Sequence, residues 1–195
     1  MKHLELKWTW LNSWRDEKSI RKYFYWLINR KKYVKSLKLI GWSVLKDLSG
    51  SSLFAVAVRS CPYLHEINLR ETIFTLEMAE NLYFIAPRLT AVTLGRSEGP
   101  IEPELTKIFK EAKKFVKLKL VWTRIIGELL TFLNADLESL IIDHCHYMKS
   151  LYLCEAIGRF QSLKHLEISA YIELDNSILQ ALVYNTYISK TMDQA

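Results

Sequence analysis

The run Asp143-His144-Cys145-His146 places a carboxylate, two imidazoles and a thiol side by side, all of them zinc-ligand types. Its spacing argues against a metal. No C-x-x-C or H-x-x-x-H pair completes a tetrahedral set. Cys145 also falls on a turn position that points inward, with His144 and His146 flanking it outward, so the donors do not converge. Cys154 and His165 could supply a nucleophile and a base. Yet Cys154 stands beside Leu153 and Ala156 on an apolar helical stripe, where a free cysteine packs as an inert small hydrophobe. A G-x-S-x-G elbow, a G-x-G-x-x-G turn and a phosphate-binding loop are all missing from the sequence. The residues predict no catalytic site, no cofactor and no metal.

Recognition chemistry is what remains. Trp8 and Trp122 occupy equivalent places, each two residues beyond the last apolar residue of a strand. Large aromatics at such a rim are favoured binding anchors; packing between neighbouring units is the other use of a tryptophan there. Basic residues concentrate at one end. Residues 1–38 hold 11 Lys/Arg against 3 Asp/Glu, and the remaining 157 hold 16 against 18. Arg15, Lys18, Arg21 and Lys22 fall at helical spacing with acids among them, which reads as a solvated face and not as a nucleic-acid site.

A repeat positions these residues. The pattern L-x-x-L-x-L recurs seven times, centred on Leu4, Leu37, Ile67, Val92, Leu118, Leu140 and Leu166, with steps of 33, 30, 25, 26, 22 and 26 residues. The later steps match the roughly 20–29 residues of a leucine-rich repeat. In each unit the last two apolar residues are two apart, so both side chains enter one face of a strand. Three residues further comes a turn column of Thr9, Trp42, Thr72, Ser97, Thr123, Cys145 and Tyr171. Small hydroxyls and a thiol there can satisfy free backbone groups, whereas Trp42 and Tyr171 predict irregular turns.

Between strands the period becomes helical at Ile20/Tyr23/Phe24/Leu27, Leu105/Ile108/Phe109/Ala112, Ile126/Leu129/Leu130/Leu133 and Leu153/Ala156/Ile157/Phe160. Thr75 is placed to cap a helix through Leu76, Ala79, Leu82 and Tyr83. Pro62 and Pro87 end the helices before them. Alternating strand and helix predicts an α/β solenoid over 1–195, a horseshoe with about seven parallel inner strands and outer helices. Its concave face presents the column Glu5, Lys38, Asn68, Thr93, Lys119, Ile141, Glu167. A second column follows: Lys7, Ile40, Arg70, Gly95, Val121, Asp143, Ser169.

The stretch Cys61-Pro62-Tyr63-Leu64-His65-Glu66-Ile67-Asn68-Leu69 resembles the C-P-x-L-x-x-L-x-L junction of cysteine-containing leucine-rich repeats. Residues 86–94 repeat it with alanine for cysteine, and Leu137 to Cys145 matches the strand with its terminal cysteine. The chain thus resembles the substrate-binding half of F-box proteins, which sit in SCF-type ubiquitin ligases. The resemblance implies a protein substrate in the concave face and a Skp-type adaptor held by an F-box. No F-box motif is present, and Met1 takes a core position, so the chain is expected to be a piece of a longer protein. Residues 1–8 would then form an exposed edge strand that promotes self-association. A free-standing scaffold of the ribonuclease-inhibitor-like class is the alternative.

The expected binding residues are Lys7, Trp8, Lys38, Arg70, Arg96, Lys119, Trp122, Asp143 and His144, and the expected partner is a protein with an acidic, extended segment. Three cysteines, an odd number, suit the reduced cytosol or nucleus, and no apolar stretch is long enough to span a membrane.

Overall fold

The computed structural model describes residues 3–7, 29, 31–40, 49–169, 178, 180, 181 and 183. Seven strands run in sequence order in one parallel sheet: β1 His3–Lys7, β2 Ser36–Ile40, β3 Glu66–Glu71, β4 Ala91–Leu94, β5 Lys117–Val121, β6 Ser139–Asp143 and β7 His165–Ser169. Helices α1 Ser49–Ser60, α2 Leu76–Leu82, α3 Glu102–Glu111 and α4 Ser150–Arg159 return the chain between strands. The chain is a leucine-rich-repeat solenoid, with helices packed behind the sheet and the strands lining the concave side.

Burial follows the two-residue period. Leu37, Leu39, Ile67, Leu69, Val92, Leu94, Leu118, Leu120, Leu140 and Ile142 are buried in one continuous core with the apolar stripes of α3 and α4. Removing a leucine from such a column costs about 2–5 kcal/mol, because the lining closes only partly on the void.

The register reproduces the first concave column: Glu5 aligns with Lys38, Lys38 with Asn68, Asn68 with Thr93, Thr93 with Lys119, Lys119 with Ile141, and Ile141 with Glu167. The second column is broken in two places. A register shift between β2 and β3 sets Ile40 opposite Glu71, which moves Arg70 out of line. Val121 is buried, so it is no groove residue.

The turn column is buried at Thr72, Ser97, Thr123 and Cys145, and each side chain is bonded. Thr72 donates to the Leu39 carbonyl at 3.1 Å, Ser97 accepts the Arg124 N–H at 3.4 Å, and Thr123 Oγ1 lies 3.2 Å from Cys145 Sγ. Each bond crosses to an adjacent repeat and satisfies a polar group that burial would otherwise penalise. Thr9, Trp42 and Tyr171 lie outside the described residues, as do Trp8 and the helical stripe from Ile20 to Leu27.

Three helical expectations are corrected. The set from Ile126 to Leu133 forms only a 3-10 turn, Glu128–Phe132, with Ile126 exposed. That repeat has the shortest step, too short to fit an α-helix and two connections. In α2 the buried residues are Met78, Ala79, Asn81 and Leu82, whereas Leu76 and Tyr83 are exposed. The helix tightens to 3-10 geometry over Tyr83–Arg88, and its stripe rotates as the period falls from 3.6 to 3. Pro87 lies inside that 3-10 segment, which its fixed φ tolerates, while α2 ends earlier. Thr75 does cap α2, accepting the Met78 N–H at 3.3 Å.

One carboxylate ties two repeats together. Glu102, at the start of α3, accepts the backbone N–H groups of Ile126, Gly127 and Leu129 at 2.8, 2.9 and 3.2 Å. Gly127 reaches this geometry at φ 102°, a left-handed conformation that glycine adopts without steric cost.

Candidate binding cleft at the strand ends

The strands end on one long edge of the sheet, here termed the C-edge. There the chain leaves the ladder at Arg96, Trp122 and His144, each two residues past the second apolar residue of its repeat's pair, Leu94, Leu120 and Ile142. The Trp122 N–H donates to the Asp143 carbonyl at 2.9 Å, and the His144 N–H to the Ser169 carbonyl at 3.0 Å. These bonds extend the ladder one step, and they hold Trp122 at φ 58° and His144 at φ 54°. A bulky side chain in the left-handed region costs about 1–3 kcal/mol, and such strain clusters at binding sites.

The strained pair is stacked. The rings of Trp122 and His144 lie 4.1 Å apart at 19°, and His146 meets Trp122 edge-on at 6.1 Å. Trp122 is 47% exposed despite this packing. His144 is oriented by a chain of bonds: its Nδ1 lies 2.6 Å from Asp143 Oδ1, which accepts the Ser169 hydroxyl at 2.8 Å. The Ser169 bond, aided by His144, holds the Asp143 carboxyl below the usual carboxylate range.

Beside this stack opens a cleft of about 660 Å³. Arg96, Ser97, Glu98 and Gly99 line it from one repeat, Trp122, Thr123 and Arg124 from the next, and His144, His146 and Tyr147 from the third, with Ile73 beside them. Arg96 and Arg124 are exposed, and neither guanidinium makes a hydrogen bond or ion pair among the described residues. Gly95 allows the close approach here, since a Cβ on it would stand 2.0 Å from the Arg70 carbonyl oxygen.

The sequence-derived residues divide accordingly. Arg96, Trp122 and His144 are brought together in the cleft, with Asp143 behind His144. Lys38 lies away from them on β2, 3.3 Å from Glu5 in an exposed ion pair. Arg70 is exposed at the end of β3, and Lys119 is half-buried on β5 in the concave column. Lys7 belongs to β1, its side chain outside the described set, and Trp8 lies wholly outside it. Arg124, His146, Tyr147 and Ser97 were not among the expected binding residues. A column counted four residues past the second apolar residue of each repeat, Leu120 and Ile142, would have found Arg124 and His146. The face also carries a further column, His3, Ser36, Glu66, Ala91, Lys117, Ser139 and His165, one stride of two before the central one.

Among the described residues no three His, Cys, Asp or Glu side chains group as a metal site. Cys145 is buried with its thiol pushed up by burial, while His144 and His146 face the cleft. Cys61 is buried too, and burial raises its thiol to about 11 despite nearby Arg88. Cys154 stands on α4 and His165 on the concave-facing column of β7, so the sheet separates them. No described helix is long and apolar enough to cross a membrane.

No protein-family model matches the chain, and no curated protein does. Solved structures do. A Caenorhabditis elegans tropomodulin C-terminal domain is 13% identical over 88% of this chain and 98% of its own, with a TM-score of 0.49. An internalin from Listeria monocytogenes is 16% identical over 78% of this chain, with a TM-score of 0.50. The chain spans 46% of that internalin. The internalin is a leucine-rich-repeat protein, and the likeness is one of fold.

Proposed function

We propose that this chain is a protein-binding module whose concave sheet and C-edge receive an extended, acidic segment of a partner protein. The observation that carries the reading is the C-edge itself. On consecutive repeats it presents the cation Arg96, the half-exposed Trp122 and the stacked His144 around one cleft, two of them in strained backbone. Arg70 and Lys119 continue the positive charge across the neighbouring strands. Aromatic and arginine anchors of this kind concentrate binding energy, and flanking charge speeds encounter and excludes wrong partners.

The more specific reading is a substrate receptor of the F-box type, acting in the cytosol or nucleus. Its support is the Cys61-Pro62 junction, where Cys61 is buried in the core as that repeat type implies. A Skp-type adaptor would then be held by an F-box outside this sequence, and no residue of this chain would act in catalysis.

The test is capture of partners from cell extract by the purified chain and by two double variants. Arg70→Glu with Lys119→Glu should abolish capture while changing the thermal melt only slightly, since Arg70 is exposed, Lys119 is half-buried and neither is in an ion pair among the described residues. Lys107→Glu with Lys110→Glu on α3 should capture as before. The opposite pattern would remove the groove from consideration. For the ligase reading, a Skp-type adaptor must co-purify once upstream sequence is included, and never with this chain alone.

A further inference from the structure

We infer that the C-edge cleft holds a phosphorylated serine or threonine of the bound segment, with Arg96 and Arg124 on the phosphate and a neighbouring side chain laid against Trp122. The inference rests on the protein-binding reading and names the chemistry of the segment's anchor. Two exposed guanidiniums border one cleft, and neither is neutralised among the described residues. A carboxylate is matched by a single bidentate guanidinium, whereas a phosphate monoester carries close to two charges and three acceptor oxygens. Two forks on one cleft therefore fit the phosphate better.

The acids nearby do not cancel this excess. Asp143 is already engaged by Ser169 and His144, and among the described residues Glu98 is the single acid lining the cleft. That lone carboxylate opposes a second negative charge, so affinity depends on both arginines acting together. Ser97 is spent on the Arg124 backbone, which fixes where Arg124 leaves the chain. The space of about 660 Å³ admits a phosphorylated residue with its neighbours and is larger than one phosphate needs. Trp122, held in place by its stack on His144, offers the apolar surface beside the charged site.

The experiment uses the purified chain on degenerate heptapeptide arrays whose fixed central residue is phosphothreonine, phosphoserine, glutamate or unmodified threonine. The phosphorylated arrays should retain the protein roughly tenfold better than the glutamate array, the effect of one added charge-assisted bond. Arg96→Gln and Arg124→Gln should each reduce retention to the glutamate level. Arg96→Lys should do nearly the same, because an ammonium lacks the planar fork. Circular-dichroism melts identify any variant that has lost its fold, and competition by millimolar inorganic phosphate against the unaltered chain then serves in its place. Equal retention of phosphorylated and unmodified arrays would overturn the inference. So would an undiminished preference in folded arginine variants, or stronger retention on a single-stranded RNA oligonucleotide that depends on the same two arginines. If capture of partners still depends on Arg70 and Lys119 in that event, the protein-binding reading stands and only the phosphate is wrong.

Discussion

The two long edges of the sheet are built differently. Where strands begin, the backbone is knitted across consecutive repeats: Thr90 N–H to His65 O, Val116 to Thr90, Glu138 to Val116, and Lys164 to Glu138, at 2.8–2.9 Å. Arg88 reinforces that edge by donating to the carbonyls of Leu64, Val58, Cys61 and Phe84. Lys164 pairs with Glu138 at 2.9 Å, and Arg159 donates to the Thr131 carbonyl. Where strands end, the chain instead shows left-handed Trp122 and His144, an open cleft and two arginines that are unpaired among the described residues. At the strand starts the side chains of Arg88, Arg159 and Lys164 are spent on the fold. At the strand ends the turn column is bonded too, but the guanidiniums of Arg96 and Arg124 are left for something else. A solenoid can divide labour this way because each repeat contributes both ends of a strand.

The sharpest way to break this division is at Gly95, where the two duties meet. Gly95→Ala puts a Cβ against the Arg70 carbonyl, so β3 and β4 must separate. Stability should fall by about 3 kcal/mol, and partner capture should fall with it. A denaturant melt beside a capture assay reads both, and loss of one without the other would refute the coupling.

Arg88→Ala isolates the opposite edge. Several carbonyls lose a charged donor, so a loss of about 2–3 kcal/mol is expected, or roughly 4–12 °C in the melt for a chain of this size. Partner capture should be unchanged at temperatures where the protein stays folded. Weakened capture would mean that the two edges are not separable.

Trp122→Gly should do the reverse. Relief of the left-handed strain, about 1 kcal/mol or more, offsets the lost stack. The melt should therefore move by less than about 3 °C while capture is lost. A large stability loss would recast Trp122 as a packing residue.

The smallest effect is a pH dependence. Asp143 has its carboxyl lowered by the Ser169 bond, so it contributes stability above the ordinary aspartate range, and that contribution is lost as the pH falls through its folded value. Melts between about pH 6 and 2.5 should show the wild type losing more on acidification than Asp143→Asn. Ser169→Ala should lie between them.

Much of the fold was legible in the residues because a parallel ladder preserves spacing. Once Leu37, Ile67 and Val92 are equated, Lys38, Asn68 and Thr93 must share a column, and the register agrees. What spacing does not encode is a shift of one residue, which displaced Arg70, or a repeat too short for its helix, which turned Ile126 outward. The cleft was half legible. Trp122 and His144 stand out as residue types. Their stacking depends on a positive φ that no pattern of apolar residues announces. Arg124 escaped notice because its placement follows from a hydrogen bond to Ser97, a contact between repeats.

Glu102 gives the array a seam that behaves differently from the rest. A chain of repeats melts like a zipper, each unit held mainly by its neighbours, so fraying ordinarily advances from the ends in even steps. The carboxylate that grips three backbone N–H groups of the next repeat makes one of those steps taller. Pulled from both termini, the molecule should therefore pause with the middle intact, and Glu102→Gln should shorten that pause.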